Sequence, residues 1–324
     1  MAEWLYEEGI GENRAILVEH GAILEAAIEL PGLRAGSVVA GRLVDILIPG
    51  RRGIVSAAPE DVMVEPLPPH LTEGQAVRVE ISREPIPEPG HPKFAKGRVT
   101  DEDERGGPAL IDRIGDCTRL RPTDRDRFEE AGWSELLEDA VSGEIAFPGG
   151  NLRMSLTPAM TLLDVDGALP PADLAVAGAA AAARAIRRLG IGGSIGVDLP
   201  TLSSREDRKR AAAALDAVLP PPFERTAVNG FGFLQLVRRR ERQSLPEQLQ
   251  FDPAGAAARA LLRRAARVPG VGARLLTAAP AVVARIEDNP AWLDALARQA
   301  GAPIRLQADP RRPTWSGHVQ TVQS

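Results

Sequence analysis

The sequence predicts a multidomain chain that mixes α+β and α/β architecture: a small β-barrel near the front, a mixed-sheet core, and a small α/β domain at the end. Three observations carry that class. Five short β-prone runs, at residues 37–48, 53–56, 62–65, 76–81 and 95–99, are broken by Gly and Pro, which is the pattern of a small barrel such as the OB-fold. Two apolar runs ending in Asp164 and Asp198 flank a helix-like segment at 174–189, the length of a strand–helix–strand unit in one sheet. After Pro253 the chain again alternates helix-like and strand-like stretches. At 324 residues it is long enough for two or three domains with real cores.

Taken in order, residues 14–18 and 22–28 are β-patterned around the turn pair His20 and Gly21. Residues 85–92 hold four prolines and read as an exposed loop. Residues 100–127 are polar and read as a linker with one short element near 109–114. Phe128, Trp133, Leu136, Leu137 and Ala140 have helical spacing over 127–141. Gly149 and Gly150 make a turn, 152–156 a strand, and the two Asp-terminated strands follow. A strongly helical stretch at 205–218 stops at three prolines, 220–222, and strands are expected at 225–228 and 231–237. The end reads as a helix at 256–267, a strand at 273–277, helix at 280–300 broken at Asn289 and Pro290, and a last strand at 304–307. The expected organisation is N-terminal strands packing on the core (1–35), barrel (36–100), linker (101–127), core (128–245) and C-terminal domain (246–324).

Composition narrows the chemistry. The one cysteine, Cys117, rules out an internal disulfide and a multi-cysteine zinc site. The four histidines, His20, His70, His91 and His318, have no helical ligand spacing, so a metal here is expected to be a hard, oxygen-bound ion. No signal-like segment follows Met1 and no apolar run reaches the roughly 18 residues of a membrane helix, which predicts a cytoplasmic protein with no membrane partner. The net charge is −5, yet it is uneven. Residues 59–92 hold seven acids and two arginines, whereas 184–242 hold twelve basic residues and six acids. The second stretch can attract a polyanion despite the acidic total, although arginine-rich helix faces are also simply solvated.

The chemistry centres on Asp164 and Asp198. Acids at the carboxyl ends of neighbouring parallel strands, roughly 4.8 Å apart, can share one cation. Asp166, two residues after Asp164, points to the same side of its strand. Carboxylates converging there repel each other unless an ion neutralises them, and magnesium suits because it binds through one or two carboxylates and keeps waters for a phosphate substrate. The competing reading is that each Asp caps the next turn or helix. Gly190, Gly192, Gly193 and Gly196 resemble a nucleotide loop superficially, but here helix precedes strand, so they read as a helix C-cap and tight turn. Arg205 and Arg208 follow the Asp198 strand, and Arg238 and Arg240 follow a Phe-Gly-Phe run. Phe231 and Phe233 can stack on bases or, being on one side of one strand, pack together in the core.

These motifs resemble the bacterial ribonuclease E/G family. The segment 157–167 (TPAMTLLDVDG), with its glycine pair and preceding strand, is similar to the family's first catalytic motif, which ends in Asp-Val/Ile-Asn-Ser. The segment 189–199 (LGIGGSIGVDL) resembles the second, and 231–240 (FGFLQLVRRR) resembles the Phe-Gly-Leu-Leu-Glu-Met-Ser-Arg-Gln-Arg segment. Stretches near 276–284 and 304–307 look like the small C-terminal domain of the ribonuclease G branch. The likeness is specific from about residue 143 to 240 and loose elsewhere.

The resemblance implies an S1-like OB barrel inserted in a metal-dependent nuclease. Asp164 and Asp198 become magnesium ligands, with manganese an alternative ion, and Asp166 takes the place of the family's asparagine. The implied reaction is endonucleolytic cleavage of single-stranded RNA by metal-activated water, in RNA processing and turnover including that of ribosomal RNA, leaving 5′-phosphate and 3′-hydroxyl ends. Lys93, Lys96, Arg205, Arg208, Phe231, Arg238 and Arg240 are the expected RNA contacts. The family's paired zinc cysteines are absent after the Phe-Gly segment, so no zinc is expected and any homo-oligomer would lack that link. The linker 101–127 would be a remnant of the region that senses RNA 5′ ends. Ile54 and Val55 stand where an aromatic stacking residue is expected in the barrel. Two alternatives stay open: a catalytically silent RNA-binding protein of the same fold, and a protein-interaction scaffold.

Overall fold

The structure, a computed structural model, describes residues 1–322 other than Pro87, Pro89, His91 and Val271. It divides into two compact units: one comprises Met1–Pro31, Ile114–Ser134 and Gln248–Ser324, the other Gly32–Arg113 and Glu135–Glu247.

The chain opens with an antiparallel meander, β1 (Glu3–Glu8), β2 (Asn13–Glu19) and β3 (Ala22–Glu29). The barrel follows: β4 (Val38–Ile48), β5 (Arg52–Ser56), β6 (Val62–Val64), β7 (Ala76–Arg83) and β8 (Ala95–Thr100). They close in the order β4-β5-β6-β8-β7, with β6 and β8 parallel and the other pairs antiparallel, a topology compatible with an OB-like barrel. Leu43, Val55, Val62, Val64, Val79, Ile81 and Ala95 fill its interior. The expected strands lie within two residues of these bounds, because β-prone runs punctuated by Gly and Pro mark strand ends. The proline loop differs from expectation: Ile86 is buried and bridged to Lys93, since one apolar side chain in a polar loop gains by folding inward. Pro87, Pro89 and His91 lie outside the described residues.

Next come α1 (Leu110–Ile114), β9 (Thr118–Leu120), α2 (Arg127–Glu130) and α3 (Trp133–Ser142). The single helix expected over 127–141 is broken at Ala131 and Gly132. The expected linker holds a strand: β9 runs parallel to β1 and makes the order β3-β2-β1-β9. The N-terminal strands therefore belong to this four-stranded sheet, and they cluster with the C-terminal residues.

The second sheet is built from β10 (Glu144–Phe147), β11 (Gly150–Leu156), β12 (Thr161–Gly167), then α4 (Pro171–Arg188), β13 (Gly193–Asp198), α5 (Arg205–Asp216), β14 (Glu224–Arg225) and β15 (Phe233–Arg238). Its order is β10-β11-β12-β13-β15-β14. Only β12 and β13 are parallel, and α4 is their crossover. Leu163, Val165, Ile195 and Val197 are buried, as are Leu174, Ala175, Ala179, Ala182 and Ile186 of α4. The alanines of α4 let it lie close, and at Gly178 a Cβ would meet a Val165 methyl at 2.3 Å.

The chain ends with α6 (Leu245–Phe251), α7 (Pro253–Arg267), β16 (Ala273–Ala278), α8 (Pro280–Glu287), α9 (Pro290–Ala300), β17 (Ile304–Ala308) and β18 (His318–Val322). The last three strands form a sheet in the order β17-β16-β18. Ala258, Leu261, Leu262, Leu276, Val282, Ile286 and Leu296 form its core together with Ile10.

The first unit also buries charge. Glu7, at 2% exposure, accepts from Arg14, Arg263 and Arg267. Glu12 takes Arg14 at 2.8 Å and Arg259 at 2.8 Å, and Asp126 takes Arg263 at 2.6 Å. Among the described residues, no helix is long and apolar enough to cross a membrane.

Candidate functional site

The parallel pair β12 and β13 brings the two aspartates together. Asp164 lies directly opposite Asp198 in the ladder. Strand alternation decides which way they point. Leu163, Val165 and Val197 are buried on the side covered by α4, so Asp164, Asp166 and Asp198 project from the opposite, uncovered face.

Register extends this to a row across five strands. Glu144 pairs with Arg153, Arg153 with Asp164, Asp164 with Asp198, and Asp198 with Phe233. All five side chains thus share one face. The row runs acid, base, acid, acid, aromatic. Gly196 stands one step back on the same face, and a Cβ there would be 2.6 Å from the Phe233 ring. Only glycine lets that ring lie against β13 beside Asp198.

The electrostatics of the row are unbalanced. Arg153 Nε donates to Glu144 Oε1 at 3.0 Å, and this bond, aided by the charges of Glu144, Asp166 and Asp164, raises its pKa. Glu144 is held low by the same arginine and by Asn151. Asp164 is half-buried and Asp198 exposed, yet the carboxylate of neither makes an ion pair or hydrogen bond with any described residue. Partial desolvation of the Asp198 carboxyl, then the charge of Asp164, raises its pKa above the usual aspartate value. The helix-capping alternative does not hold for Asp198: the N-cap of α5 is Ser204, whose hydroxyl accepts from Asp207 N.

Asp166 is exposed and lies opposite Asn151. Among the described residues, no group of three or more His, Cys, Asp or Glu is placed so that it could hold a metal ion, and Asp166 is a further strand step from Asp198. What remains is a pair of adjacent, unpartnered carboxylates, and this matches the one or two that magnesium takes. The glycines before β13 act as anticipated for a cap: Ile191 N donates to Ile186 O at 3.0 Å and Gly190 N to Arg187 O at 3.2 Å.

The expected RNA contacts are dispersed. Lys93 pairs with Glu88, and Lys96 with Glu65 at 3.1 Å. Arg240 pairs with Glu247 and, at 3.5 Å, with Glu88. Arg208 donates to the carbonyls of Leu202 and Ser203 at 2.6 and 3.1 Å, and Arg238 to that of Ile191 at 3.3 Å. Arg205 is exposed at the first turn of α5. Ile54 and Val55 are buried. Phe231 departs from the core reading: it is 82% exposed, whereas Phe233 is half-buried. Gly232, at φ +93°, lies between them, and β15 begins only at Phe233, so Phe231 stands in the turn before the strand.

Arg153 escaped sequence reasoning. Its signal was weak: it occupies the polar phase of the short run 152–156, and only the hairpin register places it beside Asp164. No family model matches the chain, and no curated protein sequence matches it either.

Proposed function

We propose that this chain is a magnesium-dependent endoribonuclease of the ribonuclease E/G type, acting on single-stranded RNA. The observation that carries the reading is the in-register pairing of Asp164 with Asp198 on neighbouring parallel strands, with no partner for either carboxylate. The motif resemblance around the same two residues supports it, as does the uncovered face on which they stand. In this reading the barrel is an S1-like OB domain, the six-stranded sheet is the nuclease core, and the last residues form the small C-terminal domain.

Asp164 and Asp198 hold the ion, magnesium or manganese. When bound, it supplies positive charge to a phosphoryl oxygen and acidity to a water. Arg153, next in the row and already stabilised as a cation, gives a non-bridging phosphate oxygen a charged donor. The open sheet face admits an extended strand, since α4 and its buried contacts occupy only the other side. Hydrolysis adds water oxygen to phosphorus and breaks the bond to the 3′ oxygen. Water gives up a proton, the leaving oxygen gains one, and the products carry 5′-phosphate and 3′-hydroxyl ends.

The test is incubation of the purified chain with single-stranded RNA, in magnesium or in EDTA. The wild type is expected to cut only with magnesium. Asp198→Asn is expected to cut at least roughly 100-fold more slowly, as for loss of a group at least as close to the metal as an outer-shell partner. Cleavage that survives both EDTA and Asp198→Asn would contradict the proposal. RNA binding without cleavage would favour the silent RNA-binding protein.

A further inference from the structure

Phe231 is 82% exposed, more than any other large apolar side chain among the described residues except Met1. Exposed apolar residues are common singly, but this one is held in a hydrogen-bonded turn. Asn229 Oδ1 accepts from Phe231 N at 2.9 Å and from Phe233 N at 3.0 Å, and Gly232 N donates to Asn229 O at 3.2 Å. The turn is also fastened to the chain just past Asp198: Leu199 N donates to Gly232 O at 3.2 Å, and Thr201 Oγ1 to Phe231 O at 3.4 Å. A Cβ on Gly232 would come within 2.1 Å of Leu199 O, so the turn and the end of β13 are in direct backbone contact.

The distance to the acid pair follows from the register. Phe233 is opposite Asp198. Paired Cα atoms lie about 5 Å apart, and two residues span at most about 7 Å, so the Phe231 Cα is within about 12 Å of that of Asp198. A solvent-exposed aromatic, held in a hydrogen-bonded turn, thus has its backbone within about 12 Å of the Asp198 backbone.

We propose that Phe231 is a stacking platform for an unpaired base flanking the phosphate held at Asp164 and Asp198. This inference rests on the nuclease reading and deepens it, by naming the residue that selects single strands. Base stacking on an aromatic ring needs an open π-face and a base released from pairing, so a duplex cannot use it. The ring recognises the base by its face, which predicts weak preference for base identity. Phe233, against Gly196, continues the apolar surface toward Asp198.

The test is a fluorescence titration of a single-stranded oligoribonucleotide carrying 2-aminopurine, with the same sequence as a duplex, in EDTA so that nothing is cut. The wild type is expected to bind the single strand more tightly than the duplex and to change the 2-aminopurine signal. Phe231→Ala and Phe231→Leu are expected to weaken single-strand binding roughly 5- to 150-fold and to lose the signal, while leaving duplex binding unchanged. Phe231→Trp is expected to restore both. Phe231→Ala that binds single strands like wild type, while wild type still cuts RNA with magnesium, would overturn this proposal alone. A wild type that neither binds nor cuts RNA would overturn the nuclease reading with it. Loss of self-association in Phe231→Ala without loss of RNA binding would assign the ring to a contact between copies of the chain, and would equally overturn the proposal.

Discussion

Two groups of carboxylates in this protein sit in opposite states. Glu7 is buried in the first unit, yet it accepts from three arginines and its pKa is lowered, because their charges outweigh the burial that alone would raise it. Asp198, in the second unit, is more exposed, has no cationic partner, and is raised by partial desolvation and by Asp164. Burial therefore does not mark the acid proposed to hold the ion. The deeply buried group is a saturated structural element, and the shallow one is incomplete as it stands. A fold tolerates two facing carboxylates on an uncovered sheet face because water screens them, and a bound cation would remove the repulsion that remains.

The comparison breaks most readily at Glu7. Glu7→Gln leaves Arg14, Arg263 and Arg267 short of a counter-charge in the interior, and is expected to destabilise the protein by about 3–5 kcal/mol. Chemical denaturation measures this. Asp198→Asn, which removes repulsion and no contact, is expected to unfold at the same or higher denaturant concentration than wild type. A destabilised Asp198→Asn would mean that the pair is structural after all.

A smaller effect sharpens the contrast through pH. Glu7 has a folded pKa below its unfolded value of about 4.5, so its stabilisation is complete above that pH and is lost as pH falls through the folded pKa. Asp198 has a folded pKa above its unfolded value of 3.8. The native state then holds the proton more tightly, so the Asp198 penalty is present above the folded pKa and is relieved as pH falls toward 3.8. Without divalent ions, the stability advantage of Asp198→Asn over wild type should shrink on acidification, while that of wild type over Glu7→Gln should shrink at still lower pH. A pH-independent difference between wild type and Asp198→Asn would contradict the raised pKa of Asp198.

How far the sequence reveals this structure depends on where the information lies. The barrel strands and the α4 crossover were legible, since alternation and an alanine-rich stripe are local patterns. β1 and β9 were not. Glu7 interrupts the apolar pattern of β1, and its burial is compensated by Arg263 and Arg267, more than 250 residues away in sequence. β10 and β18 lie at sheet edges, where short polar strands carry little periodicity. At the site, the two aspartates were legible because each ends an apolar run. Arg153 depended on hairpin register. Phe231 was named as a base contact from its motif, but its 82% exposure was not legible, since a Phe-Gly-Phe run reads equally well as core.

The most direct measurement is titration of manganese(II) followed by electron paramagnetic resonance, which reads the free aqueous ion. If Asp164 and Asp198 form the metal site, wild type binds one ion that magnesium displaces, and the double variant Asp164→Asn, Asp198→Asn does not. Equal binding by the two proteins, or none by wild type, would contradict the account.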